Sequence, residues 1–176
     1  MPTSVENFQA RRVVTGTDEK GRSRVVVDEL APTRAATPTF TVVDLWQTDT
    51  VPPRVDAEDT LTGIVALDPP KAGVLVRFVT FPPDAEWQSN GGYEDAMAAI
   101  GGADSHVDDG DTAGVHATDT VDVVTVVEGE IYAVLENEEV HLRVGDTMVQ
   151  RGTKHAWSNR TSGPATIVAT MYSATR

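Results

Sequence analysis

Short runs of β-branched and aromatic residues recur along this chain, separated by turn residues, and almost nowhere do apolar positions fall at helical spacing. Strands are predicted at FTVVDLWQT (40–48), LTGIVAL (61–67), VLVRFVTF (74–81), VDVVTVV (121–127), IYAVLE (131–136), VHLRV (140–144), TMVQ (147–150) and ATIVATMYSA (165–174). Prolines and glycines punctuate them, as in DPPKAG after residue 67, PPD after residue 81 and Glu-Gly-Glu around Gly129. Gly129 and Gly145 read as turn glycines joining adjacent strands. Such a pattern predicts an antiparallel all-β sandwich or barrel.

Two segments depart from it. RRVVTGTDEKGRSRVVVD (11–28) has two β-branched runs around the turn DEKG, the mark of an N-terminal hairpin. Val25, Val26 and Val27 are consecutive, so one face of an isolated ribbon would be wet. Cover from the main sheet or from a second subunit is expected, and a two-fold homodimer is the commonest closed form. APTRAATP (31–38) is a connector. YEDAMAAI (93–100), bracketed by glycine pairs, predicts one short helix, and the acidic stretch ADSHVDDGD after it reads as a lid or loop carrying His106. Residues 1–40 thus form a ribbon and connector, and residues 41–176 the barrel domain.

Counting in steps of two from His116 places Thr118, Thr120 and Asp122 on its side of a strand, with Ala117, Asp119, Val121 and Val123 on the other. Polar groups pointing into a small barrel need partners, and a metal ion or a polar ligand supplies them. His155 lies in the later loop QRGTKHAWSN. Two imidazoles and a carboxylate brought together make the ligand set of a mononuclear centre with open positions, suited to Fe(II) and equally to Zn, Mn, Ni or Co. Hydrogen-bonded core histidines and a carboxylate satisfied by Thr120 are the alternative for the same residues.

Composition narrows the chemistry. The chain has no cysteine, which removes thiolate nucleophiles, Cys-ligated zinc and iron–sulfur clusters. Its 14 basic and 27 acidic residues give a net charge of −13, unsuited to nucleic acid or anionic lipid as a partner. No apolar run approaches the roughly 18 residues that span a bilayer and no leader pattern is visible, so the expected address is the cytoplasm. No phosphate-cradling glycine motif and no GxSxG elbow occurs. The Asn159-Arg160-Thr161 sequon is discounted for want of a secretion signal.

Gly110, five residues, His116, one residue, Thr118, three residues, Asp122, six residues and Gly129 follow the spacing of the first cupin motif. Gly145 to Asn159 resembles the second cupin motif, one residue short and with Gln150 where proline is expected, keeping Gly152, His155 and Asn159 in register. Over roughly residues 60–172 the chain resembles the cupins, in particular small bacterial and fungal single-domain members with runs like HATDTVD (116–122) and VQRGTKHAWSN (149–159). The resemblance implies a double-stranded β-helix, or jelly-roll barrel, with one divalent metal on His116, Asp122 and His155 as the catalytic centre. It departs at Thr118, where a second histidine is usual, and at Asp122, where glutamate is usual. Some fungal relatives are described as oxidoreductases of polyketide-derived pathways. The implied function is metal-dependent, oxidoreductase- or dioxygenase-like conversion of a small polyketide-like or aromatic molecule in the barrel. A non-redox lyase, dehydratase or isomerase is one alternative, and a non-catalytic small-ligand-binding protein another.

Around that centre Thr118, Thr120, Trp157 and Arg77 are the candidate substrate-binding residues. Trp157 lies two residues from His155, where it can flank the mouth of the site. Arg77, the single basic residue of an apolar strand, is either an outward rim residue or an anchor for an acidic substrate. His141, between Val140 and Leu142, is expected to face solvent.

Overall fold

A computed structural model describes residues 5–90, 92–105 and 114–176. His106 and Gly110, and most of the acidic stretch read as a lid, lie outside the described residues. The N-terminal strands β1 (Arg11–Thr17) and β2 (Ser23–Leu30) form a two-stranded ribbon of their own. Strands β3 (Arg34–Ala36), β4 (Thr41–Thr48), β5 (Val74–Phe81), β6 (Thr120–Glu128), β9 (Thr147–Gln150) and β11 (Ala165–Ser173) make a six-stranded sheet in the order β3-β4-β5-β11-β6-β9. A smaller sheet, β10-β7-β8, is built from β7 (Glu130–Leu135), β8 (Glu139–Arg143) and β10 (His155–Ser158). The paired strands are antiparallel throughout.

The two sheets face each other across a core of Leu75, Val124, Val126, Ile131, Ala133, Leu142, Ile167 and Met171. These are alternate residues of their strands, so the period-two pattern of the sequence is the pattern of burial. Gly129 makes the tight passage from β6 to β7 with φ at 68°, and a Cβ there would stand 2.5 Å from the Pro164 carbonyl oxygen. A second cluster, Phe40, Val42, Val65, Leu67, Met97 and Ile100, closes one end of the barrel.

The helix expected near residue 95 is α2 (Tyr93–Ala99), and it is preceded by a single turn, α1 (Asp84–Trp87), that the sequence reading lacks. Asn159, in register with the second motif, is a structural residue. Its side-chain amide donates to the carbonyls of Phe81 and Gly163, while Asp84 accepts from the Asn159 backbone N–H and the Ser158 hydroxyl.

Three expectations are corrected. LTGIVAL (61–67) is not a strand, because its backbone serves the barrel from a loop: the carbonyls of Ala66 and Leu67 accept hydrogen bonds from Arg77. The connector 31–38 contains β3, which pairs with β4. His155 does not sit in a loop: it opens β10 and pairs with His116 through two backbone hydrogen bonds of 3.0 Å. No helix of the described residues is long and apolar enough to cross a membrane.

Candidate functional site

The interior of the barrel keeps a cavity of about 80 Å³ between the two sheets and α2. Most of its wall is apolar, from Phe40, Leu67, Val79, Phe81, Met97 and Ile167 among others. Its polar lining comes from His116, Thr118, Asp122, His155, Tyr93 and Arg77. His116 enters just ahead of β6, Asp122 from within β6, and His155 from the first position of β10. The bridge between residues 116 and 155 therefore brings the two histidines together across the seam of the two sheets. Their rings lie 4.3 Å apart between centroids.

Each imidazole is oriented through Nδ1. His116 Nδ1 sits 2.9 Å from the Gly114 carbonyl oxygen, with the Tyr93 hydroxyl at 3.4 Å, and His155 Nδ1 sits 3.0 Å from the Thr153 carbonyl oxygen. A carbonyl only accepts, so both rings carry a proton on Nδ1. Burial, aided by the neighbouring His116, holds His155 down at about 3, so this ring is neutral at physiological pH.

Asp122 is buried, and its Oδ1 has no hydrogen-bond partner among the described residues. Burial raises its carboxyl to about 6, against the opposing pull of a Thr120 hydrogen bond and of Arg77. Thr118 lines the cavity as well, but its hydroxyl is shared with that of Thr120 at 2.6 Å, and Thr120 itself stands behind the wall. Trp157 lines the cavity with its ring edge-on to His155, 5.7 Å between centroids.

Arg77 overturns the expectation of an outward rim residue. It points inward and is 2% exposed, because the interior satisfies it: Nε donates to Asp44 Oδ1 at 2.9 Å, Nη1 to Leu67 O at 3.1 Å and Nη2 to Ala66 O at 2.5 Å. Burial raises the Asp44 carboxyl and Arg77 pulls it back down. The guanidinium reaches the cavity wall with these donors already committed. His141 lies outside the cavity, half-buried and stacked on Tyr132 at 4.5 Å.

Tyr93, Met97 and Ile100 are cavity residues that the sequence reading missed. Their spacing is one face of a helix, and that stripe in YEDAMAAI was the available signal. Burial pushes the Tyr93 phenol well above its ordinary range, so it is a neutral hydrogen-bonding group here.

Whether these residues suit a metal can be judged from the donors. Imidazoles fixed through Nδ1 and a carboxylate oxygen without a partner among the described residues are the right chemistry. Their placement is not: among the described residues no group of three or more His, Asp or Glu side chains lies close enough together to hold an ion. His116 and His155 meet, Asp122 shares their cavity without closing the set, and Thr118 occupies the position where a second imidazole of the motif would stand. The residues as placed do not fit a three-ligand centre.

The chain is similar in part to known proteins. Residues 103–171 match the family described as Cupin domain. Two proteins of Diaporthe leptostromiformis, phomopsin biosynthesis cluster protein C' and protein D, are each 47% identical over 47 residues, covering 26% of this chain and 25% of the relative. The match thus spans about a quarter of these relatives' length. Among solved structures, a putative ethanolamine utilization protein from Salmonella typhimurium aligns over 96% of this chain and 100% of its own, with 11% identity and a TM-score of 0.43. An RmlC-like cupin from Shewanella frigidimarina aligns over 78% and 79%, with 14% identity and a TM-score of 0.40. A recombinant oxalate oxidase in complex with glycolate aligns over 57% and 42%, with 20% identity and a TM-score of 0.37. Likenesses this slight say nothing about chemistry.

Proposed function

We propose that this chain, which belongs to the cupin superfamily, takes a small and largely apolar organic molecule into its barrel and moves a proton on that molecule's polar group at the histidine pair. The observation that carries the reading is the contact of His116 and His155 at the polar end of a cavity otherwise walled by apolar side chains. A cavity of about 80 Å³ has room for roughly half a dozen water-sized groups, which sets the scale of the ligand. Apolar walls stabilise its body, and a few convergent polar groups orient it.

The neutral His155 accepts a hydrogen bond at Nε2, and Asp122, titrating at about 6, exchanges a proton close to neutral pH. Proton movement of this kind serves isomerisation, dehydration or elimination. The names of the two fungal relatives support a substrate that is a biosynthetic intermediate.

A second reading has one observation in its favour. The Oδ1 of Asp122, without a partner among the described residues, beside two Nδ1-fixed imidazoles is the donor chemistry of a divalent ion on His116, Asp122 and His155, which would make the conversion metal-dependent and open it to oxidoreductase chemistry.

Two measurements on one preparation test the proposal: elemental analysis after purification without chelator, and tryptophan fluorescence titrated with phenol as the probe. Saturable quenching that weakens about tenfold or more in His155→Ala, with metal far below one equivalent, is the expected result. Absence of saturable binding would overturn it. A full equivalent of metal that disappears in His155→Ala would establish the second reading in its place.

A further inference from the structure

Gln150, which stands where the second cupin motif has proline, is not among the residues that line the cavity, yet it is only 2% exposed. It closes β9 and is the direct cross-strand partner of Asp122 on β6, so the two side chains leave the ladder on the same side. A buried amide costs stability unless its hydrogens are bonded. Here Nε2 donates to the Thr153 carbonyl at 2.9 Å and to the Thr153 hydroxyl, so both amide hydrogens go to one residue of the following turn. Because a carbonyl only accepts, its partner fixes which end of the amide is the nitrogen.

The same Thr153 oxygen, 3.0 Å from His155 Nδ1, is the acceptor that orients the imidazole. Both of its lone pairs are therefore in use, one toward Gln150 and one toward His155. A stronger acceptor sits on the residue paired with Gln150: Asp122 Oδ1 has no hydrogen-bond partner among the described residues, and bonds to carboxylates are the stronger kind. The amide is turned from it to the Thr153 carbonyl. That carbonyl needs a hold, since the chain reverses between β9 and β10 through Gly152 at φ 60°, and Arg151 and Thr153 are exposed. Water competes for the oxygen wherever the amide does not keep it. The outer side of the turn has a tie of its own, Arg176 Nη2 to the Gly152 carbonyl at 3.0 Å, but that side chain is 67% exposed.

We propose that Gln150 is the positioning residue of His155: its buried amide pins the Thr153 carbonyl, which keeps the imidazole proton on Nδ1 and leaves Nε2 as the acceptor for a ligand. This rests on the reading of the histidine pair as the polar end of a ligand cavity. Proline at this position offers no donor at all, so the departure from the motif is the device itself. Only molecules with the proton on Nδ1 present an acceptor to a hydroxyl ligand, and a mixture of tautomers lowers the apparent affinity in proportion.

Gln150→Met keeps the length of the side chain and removes its donors. With ¹⁵N-labelled histidine at neutral pH and no ligand, the wild type is expected to show His155 in the Nδ1–H form alone, and Gln150→Met a mixture of the two tautomers. Phenol binding is expected to weaken about threefold to tenfold in the variant, with the circular dichroism spectrum kept. Gln150→Asn, whose amide is drawn back by one methylene, is expected to give the same mixture and decides the matter if the Met variant does not fold. Arg176→Ala, which removes the exposed tie to the same turn, is expected to leave both readouts at their wild-type values. A single Nδ1–H tautomer in the folded Gln150 variants would overturn the proposal. An equal mixture in Arg176→Ala would overturn it too, because any loosening of the turn would then suffice. Absence of phenol binding by the wild type would count against the ligand cavity alone, since the tautomers are read without ligand and still decide the role of Gln150.

Discussion

Strand β6 carries opposite chemistry on its two sides. Toward the barrel it presents buried Thr120 and, at the cavity wall, Asp122 before Val124 and Val126 enter the core, while away from it stand Val121, Val123 and Val127. An ordinary half-buried strand has its polar side in water. The partial inversion separates two tasks: the inward polar groups cost stability and are kept for chemistry, and the outward apolar groups await cover. The clearest way to break the comparison is to strip the interior of a polar partner. Asp44→Ala leaves the fully buried guanidinium of Arg77 without its carboxylate, and an expected loss of about 3–5 kcal/mol in denaturant unfolding follows. A loss below about 1 kcal/mol would show that the Ala66 and Leu67 carbonyls suffice.

Asp122→Asn sharpens the comparison by separating stability from function. With the carboxyl raised to about 6 in the fold, the folded state holds a proton that the unfolded chain releases near 4. Asp122 thus removes stability as pH rises from about 4 to 6 and leaves a cost on the order of 2 kcal/mol at neutral pH. His155, lowered to about 3, acts in the other sense, adding stability as pH rises from about 3 to 6.5. In the wild type the two slopes oppose each other between pH 4 and 6. Asp122→Asn unmasks the histidine, so melting experiments are expected to show stability climbing with pH across that window and a net gain at pH 7, with phenol binding weakened. An unchanged pH profile would mean that the carboxyl titrates in its ordinary range.

The smallest expected effect belongs to Tyr93→Phe. It removes one long hydrogen-bonding contact to His116 while keeping the ring that packs on Phe40 and Trp87, so the expected change is below about 1 kcal/mol, with the cavity retained. A loss of several kcal/mol in thermal unfolding would show that Tyr93, and not the Gly114 carbonyl, fixes the ring.

Much of this was legible in the sequence for local reasons. Runs such as VLVRFVTF end at prolines, and their alternation survives as alternate burial, so β5, β6 and β11 were readable. The step of two from His116 to Asp122 also held: residues 116, 118, 120 and 122 are buried, although the regular strand begins only at Thr120. What escaped depended on partners distant in the chain. LTGIVAL has the composition of a strand and is a loop because a guanidinium ten residues on takes its carbonyls. Arg77 read as a rim residue because nothing local reveals that Asp44 lies across the ladder from it. β10 is too short to stand out from its loop, and the Tyr93–Ile100 stripe is amphipathic only toward a cavity formed by strands on either side of it.

Histidine ¹⁵N NMR tests most directly whether a neutral His155 beside His116 forms the polar end of an apolar ligand cavity. His155 is expected to show the Nδ1–H tautomer from neutral pH down to about 4, and its Nε2 resonance to move on addition of phenol. Titration near 6.5 with no response to phenol would contradict the account.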